Sequence, residues 1–421
     1  MNFQESLAYL LSLGHETLTI KLGLRNTETL LAALGNPHKE FPAVQIAGTN
    51  GKGSTAVTLD SICRAAGIRT GLFTSPHLIS VTERIRIGGE QISEEDFAAF
   101  ATRVRATAAD LVSTGRLETL PTFFEQVTAI ALLAFREAKV DLAILETGLG
   151  GRLDSTTAAG ADIVAITPIA MDHQEYLGNS LEEIAAEKAA IIRPGVTTIV
   201  APQQKAAQTV ILDQCDRVKV RPRLIGPTLP ESYEQISIGL RGRHQIVNVS
   251  TAIAVAEALR ERGFSIPREA IIRGVETVRH AGRLELWEGS PAILFDGAHN
   301  PAAACALRDY LDEFIRQPIT MIFGAMRDKA LAEMARILFP AADELILTSL
   351  DNPRASTPEM LTAVVAVNFD RLRLHSASSP SEALSIAREM TPSDGLICVT
   401  GSLYLVGAAQ EVLNTKKPAR P

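Results

Sequence analysis

The stretch AVQIAGTNGKGSTAVTLDSICRAAG, residues 43–67, decides the fold. It opens on a short apolar run suited to a buried strand and ends in the apolar spacing of a helix. Between them Gly48, Gly51 and Gly53 let the backbone turn sharply and approach a ligand closely. A loop of this kind aims its N–H groups, and the positive end of the following helix, at anions. Lys52 adds a full charge, and a loop hydroxyl can reach a metal. Asn50, Gly51, Lys52, Gly53 and Ser54 are the candidate polyphosphate contacts. The spacing is not that of the common G-x-x-x-x-G-K-[ST] loop, because Gly48 stands three residues before Gly51 and Gly53 separates Lys52 from Ser54.

Outward from this loop, short β-branched runs alternate with amphipathic stretches. VQIAG (44–48), LAILE (142–146), IVAIT (163–167) and TTIV (197–200) form one series. AILFD (292–296), TMIFG (320–324), ELILT (344–348) and LICVT (396–400) form a second. Such alternation predicts an α/β fold: a P-loop-type, mostly parallel N-terminal sheet, then a smaller Rossmann-like C-terminal α/β unit. Gly282, Gly289 and Pro291 interrupt the pattern in RHAGRLELWEGSP (279–291), which places the expected division between 1–288 and 289–421. The closing NTKKPARP has the composition of a disordered tail.

With 421 residues, 46% hydrophobic and 21% charged, the chain can bury large cores. It contains no run of roughly 20 apolar residues suited to a membrane helix. The start, MNFQESLAYLLSLG, has no basic region ahead of its apolar residues and carries Glu5 among them, unlike a secretion signal. A cytoplasmic protein without a membrane partner is expected. The net charge of −7, without basic clusters, excludes a general nucleic-acid binder. Cys63, Cys215, Cys305 and Cys398 are too scattered for a disulfide framework or zinc site.

Glu146 ends LAILE and His173 follows IVAIT, so both fall at the carboxyl edge of a parallel sheet, where α/β proteins bind ligands and where the glycine loop opens. With Ser75 they suit a partial Mg²⁺ shell completed by water and phosphate oxygens, although a lone His after a strand by itself favours a structural hydrogen bond. Asp154 before Ser-Thr-Thr also suits a helix cap, and Phe123 and Phe124 also suit a core.

Several separate motifs together give the chain its resemblance to the folylpolyglutamate synthase/dihydrofolate synthase branch of the Mur ligase superfamily. Beside GTNGKGS these are FTSPHLISVTERIRI (73–87), PTFFEQVTAIAL (121–132), LETGLGGRLDSTT (145–157), MDHQEYLG (171–178), RHQIVNVSTAIAVAEAL (243–259), AGRLE (281–285), FDGAHNP (295–301) and TGSLY (400–404). The resemblance implies Ser75, Glu146 and His173 as metal ligands, and Asn248, Arg283 and Asp296 as further ATP contacts. It places Arg84, Thr122, Phe123, Phe124, Glu125, Leu153, Asp154 and Ser155 on folate or its pterin. His299 and Ser402 would hold glutamate. In LEEIAAEKAAIIRPG (181–195), the family carries a CO₂-carbamylated lysine at the position of Lys188, which joins Lys52, Glu146 and His173 as catalytic residues. In FGAMRDKA (323–330) Ala330 departs from the family's second acid, and Asp328 and Lys329 are assigned no ligand.

The implied activity is ATP-dependent addition of L-glutamate to dihydropteroate and to tetrahydrofolate or folylpolyglutamates, through an acyl phosphate. The implied cofactors are ATP and one or two Mg²⁺ ions, with a monovalent cation left open. The implied partners are small-molecule substrates, and the chain would act as a monomer. A peptidoglycan-type amino-acid ligase, a P-loop kinase or nucleotidase, and a non-enzymatic nucleotide-binding module remain open at this point.

Overall fold

The computed structural model describes residues 1–14, 23–365 and 369–415. Of the expected tail, residues 416–421 lie outside the described residues, while Asn414 and Thr415 close the helix Leu403–Thr415.

Two sheets form among the described residues. The first contains β1 (Ala43–Ala47), β2 (Thr70–Phe73), β3 (Ile85–Ile87), β4 (Glu90–Gln91), β5 (Leu142–Glu146), β6 (Ile163–Ile166), β7 (Thr197–Val200) and β8 (Arg223–Leu224). Its order is β4-β3-β2-β5-β1-β6-β7-β8. All pairings from β2 to β8 are parallel, and β3 and β4 are antiparallel additions at one edge. The second contains β9 (Glu285–Trp287), β10 (Ala292–Asp296), β11 (Ile319–Phe323), β12 (Glu344–Thr348), β13 (Leu374–Ala377) and β14 (Leu396–Thr400), in the order β13-β12-β11-β14-β10-β9. It is parallel except for β9. This is the expected pair of α/β units. Because β9 pairs with β10 although it precedes residue 289, we draw the division between the units ahead of Glu285.

Local chemistry explains why the elements start where they do. The helix Phe123–Glu137 begins on a capping box: Thr122 Oγ1 accepts from the Glu125 N–H, and Glu125 Oε2 accepts from the Thr122 N–H at 2.7 Å. That helix lies so close to β2 that a Cβ on Gly71 would come 2.5 Å from Phe135 Cδ1. Glycine in mid-strand therefore makes room for a buried ring.

Parallel connection sends the chain back after every strand, so the carboxyl ends of strands within each sheet share one edge. From the first sheet come the glycine loop after β1, Ser75 after β2, Glu146 at the end of β5 and His173 after β6. From the second come Asp296 at the end of β10, Lys329 after β11, Arg354 after β12 and Ser402 after β14. These two edges line a single cleft. Among the described residues no helix is long and apolar enough to cross a membrane.

Gly71→Ala forces the Phe135 ring aside and should cost about 1–3 kcal/mol in urea unfolding. Gly226→Ala, where a Cβ meets nothing within 4 Å, should change stability by less than about 0.5 kcal/mol.

Candidate active site

The cleft has a volume of about 440 Å³ and is lined by both units. On the first wall the helix Lys52–Ala65 starts at Gly51, whose φ is 87° and where a Cβ would lie 2.0 Å from Asn248 Oδ1. Asn248 is thus pressed against the loop, while its Nδ2 donates to Gln245 Oε1 at 2.8 Å. Lys52 Nζ donates to the Thr49 carbonyl at 3.2 Å, which holds its charge over the loop.

Behind the loop Lys188 is buried, and its Nζ donates to the Gly48 carbonyl at 2.8 Å. Burial, with Lys52 close by, brings its pKa down from 10.5 to about 7. Glu146 is also buried; its Oε2 accepts the Ser75 N–H at 3.1 Å and lies against Gly53. Burial raises its pKa, against the pull of Lys52, the Ser75 N–H and Arg283. Loss of solvent lowers the His173 pKa to about 3, so this imidazole is neutral and able to ligate a metal. The ring of His280 is likewise held at about 3 by desolvation, with Arg283 and Arg86 nearby.

Among the described residues no three His, Cys, Asp or Glu side chains converge as a ready-made metal cage. One buried carboxylate beside an anion-binding loop is nevertheless a donor set that fits Mg²⁺, which binds through one or two carboxylates, substrate phosphates and retained waters.

Of the residues expected to hold folate or its pterin, Thr122, Phe124, Glu125, Leu153, Asp154 and Ser155 line the cleft. Asp154 is fully engaged in shaping the loop: Oδ2 accepts from the Gly148 and Leu149 N–H groups, and Oδ1 from the Thr156 N–H and hydroxyl. Its capping role is therefore present in the structure. Arg84 and Phe123, expected at the same wall, are placed in the interior instead. Arg84 is 1% exposed, its Nε donates to His77 Nδ1, and its guanidinium sits 5.4 Å from the Phe123 ring centroid.

From the second unit, Asp296 accepts from the Leu284 and Ala298 N–H groups, His299 Nδ1 donates to the Gly297 carbonyl, and Ser402 Oγ accepts the Tyr404 N–H. Arg283, Asp296, His299 and Ser402 all line the cleft.

Sequence reasoning missed the group that joins the walls. Asp172, buried after β6, accepts from Lys329 Nζ at 2.6 Å and Asn300 Nδ2 at 3.2 Å, and His299 Nε2 lies 3.6 Å away. Asn300 Nδ2 also donates to Asn50 Oδ1 at 3.0 Å. Burial opposes ionisation of Asp172, but the His299 contact and the Lys329 ammonium outweigh it and hold the carboxyl well below its ordinary value. Lys329, assigned no ligand from its motif, therefore lines the cleft and pairs across it. The available signal was its place just past a strand's carboxyl end.

The Mur ligase middle domain matches residues 46–221, and the Mur ligase glutamate ligase domain matches residues 282–403. The chain is 34% identical to the dihydrofolate synthase/folylpolyglutamate synthase of Bacillus subtilis, over 93% of this chain and 95% of that one. It belongs to the folylpolyglutamate synthase/dihydrofolate synthase family of Mur ligases. The structure of Mycobacterium tuberculosis folylpolyglutamate synthase complexed with ADP superposes with a TM-score of 0.90 at 30% identity, covering 99% of this chain and 100% of that one. A bifunctional folylpolyglutamate synthase/dihydrofolate synthase with Mn, AMPPNP and L-glutamate bound gives 0.85 at 29% identity, covering 98% of each chain. The chain spans about half the length of a relative from Haloferax volcanii, a probable bifunctional folylpolyglutamate synthase/dihydropteroate synthase, to which it is 33% identical.

Family membership makes the pair across the cleft testable as a unit. Lys329→Met leaves the Asp172 carboxylate buried without its counter-ion and should cost about 3–5 kcal/mol. Adding Asp172→Asn should recover part of that loss. Trp287, the single tryptophan, lies in β9 and reports unfolding of the second unit by fluorescence.

Proposed function

We propose that the chain is an ATP-dependent ligase that joins L-glutamate to the carboxylate of dihydropteroate, and to tetrahydrofolate or its polyglutamates. The observation that carries this reading is the single cleft. One wall is an anion-binding glycine loop with Lys52 and Glu146, and the other brings His299, Lys329, Arg354 and Ser402 to face it. Relatives bearing ADP, AMPPNP and L-glutamate support the same assignment. We place it in the cytoplasm as a monomer acting on small molecules.

A carboxylate does not condense with an amine near pH 7, because its oxygen leaves poorly and its charge deactivates the carbonyl. Attack of the acceptor carboxylate on the γ-phosphate of ATP forms an acyl phosphate and ADP. The glutamate amine then adds, and the tetrahedral adduct expels phosphate and yields the amide. Lys52 stabilises charge on the phosphoryl group in flight, and Asn50, Gly51, Gly53, Ser54, Asn248, Arg283 and Asp296 hold the nucleotide. Ser75, Glu146 and His173 would hold a divalent cation, which would neutralise charge on the phosphates. His299 and Ser402 hold glutamate, and the Thr122, Phe124, Glu125, Leu153 and Ser155 wall holds the pterin. Arg84, stacked on Phe123, supports that wall from the interior.

Lys188 carries the carbamate in this reading. An amine with its pKa near 7 is substantially neutral at working pH, and the neutral amine is the form that attacks CO₂. The reaction releases a proton and replaces a buried neutral amine by an anion beside the loop.

ADP release should require both L-glutamate and a pteroate or folate acceptor; UDP-sugar peptides should not substitute. Lys52→Ala should lower turnover by at least about 100-fold. Lys188→Ala should lose activity and partly regain it with short carboxylic acids. Acceptor-independent ADP release would instead mark a nucleotidase.

A further inference from the structure

Ahead of β9 the chain passes from one sheet to the other through His280, Ala281, Gly282 and Arg283. His280 Nδ1 lies 3.2 Å from Ser54 Oγ. Its ring also packs on Gly53, where a Cβ would come 2.9 Å from His280 Cε1. Three residues later Arg283 lines the cleft. One short connection thus presses on the glycine loop with its first side chain and reaches the cleft with its last. No step of the ligase chemistry above uses His280.

A serine hydroxyl has one proton to donate and lone pairs that accept, and the proton rotates to the best acceptor. Ser54 sits in the first turn of the helix Lys52–Ala65. A cation on the nucleotide needs an oxygen lone pair, so the proton must be turned elsewhere. A neutral imidazole protonated at Nε2 presents the Nδ1 lone pair to that proton. We propose that His280 is a positioning residue, accepting the Ser54 hydroxyl proton so that the Ser54 oxygen faces the divalent cation of a nucleotide in the glycine loop. This rests on the nucleotide reading given above.

The test is calorimetric binding of ADP to the full chain, once with EDTA and once with Mg²⁺. His280→Leu removes the acceptor and should reduce the affinity gained from Mg²⁺ by about tenfold, the size of one hydrogen bond. Metal-free ADP affinity should stay within about twofold of the unaltered chain. His280→Asn, whose amide oxygen can accept the same proton, should keep most of the gain. In a Ser54→Ala background, His280→Leu should have no further effect on it. If His280→Leu does not fold, His280→Gln, with its acceptor displaced, takes its place under the same expectation. Equal loss with and without Mg²⁺ would reduce His280 to a packing residue, and an unchanged gain would remove it altogether. Failure of the unaltered chain to bind ADP would overturn the nucleotide reading instead.

Discussion

One buried carboxylate holds the two halves of the site together. Asp172 belongs to the first sheet's edge, yet Lys329 and Asn300 bond to it from the second unit and His299 lies within 3.6 Å. A carboxylate out of water is costly unless it is paired, and here the pairing runs across the cleft. The distance between the glycine loop and the second wall is therefore set by electrostatics as well as by the chain connection. Asn50 and Asn300 extend the same contact to the loop itself. The proposed ligase reaction needs three reactants aligned, and this pairing fixes the two surfaces that would align them.

The charges within the cleft follow from the same constraint. Lys52, Lys188 and Arg283 gather around a loop built to receive polyphosphate, while Glu146 is the buried carboxylate beside them. Burial alone pushes Glu146 toward its neutral form and Lys188 toward its own.

Elements and residues differed in how far their sequence neighbourhood could reveal them. Short runs rich in β-branched and apolar residues, such as LAILE, TTIV and LICVT, form strands over the residues expected. The strand TGLF was missed because Gly71 breaks its pattern, and that glycine is explained only by Phe135 packing on it from 64 positions away. The short β8 and β9, and the polar LHSA of β13, carry little periodicity of their own. The glycine loop was legible because its chemistry is local. Asp172 was not, since its partners lie 128 and 157 residues away. Arg84 and Phe123 showed the opposite difficulty: their motif was visible, but only tertiary packing reveals that they turn inward.

The central claim is that the cleft activates a carboxylate by phosphorylation before the amine attacks. Positional isotope transfer tests it most directly. With the acceptor carboxylate labelled with ¹⁸O, the account predicts one labelled oxygen in the inorganic phosphate released with each amide formed. Phosphate free of label, formed at the same rate as the amide, would contradict it.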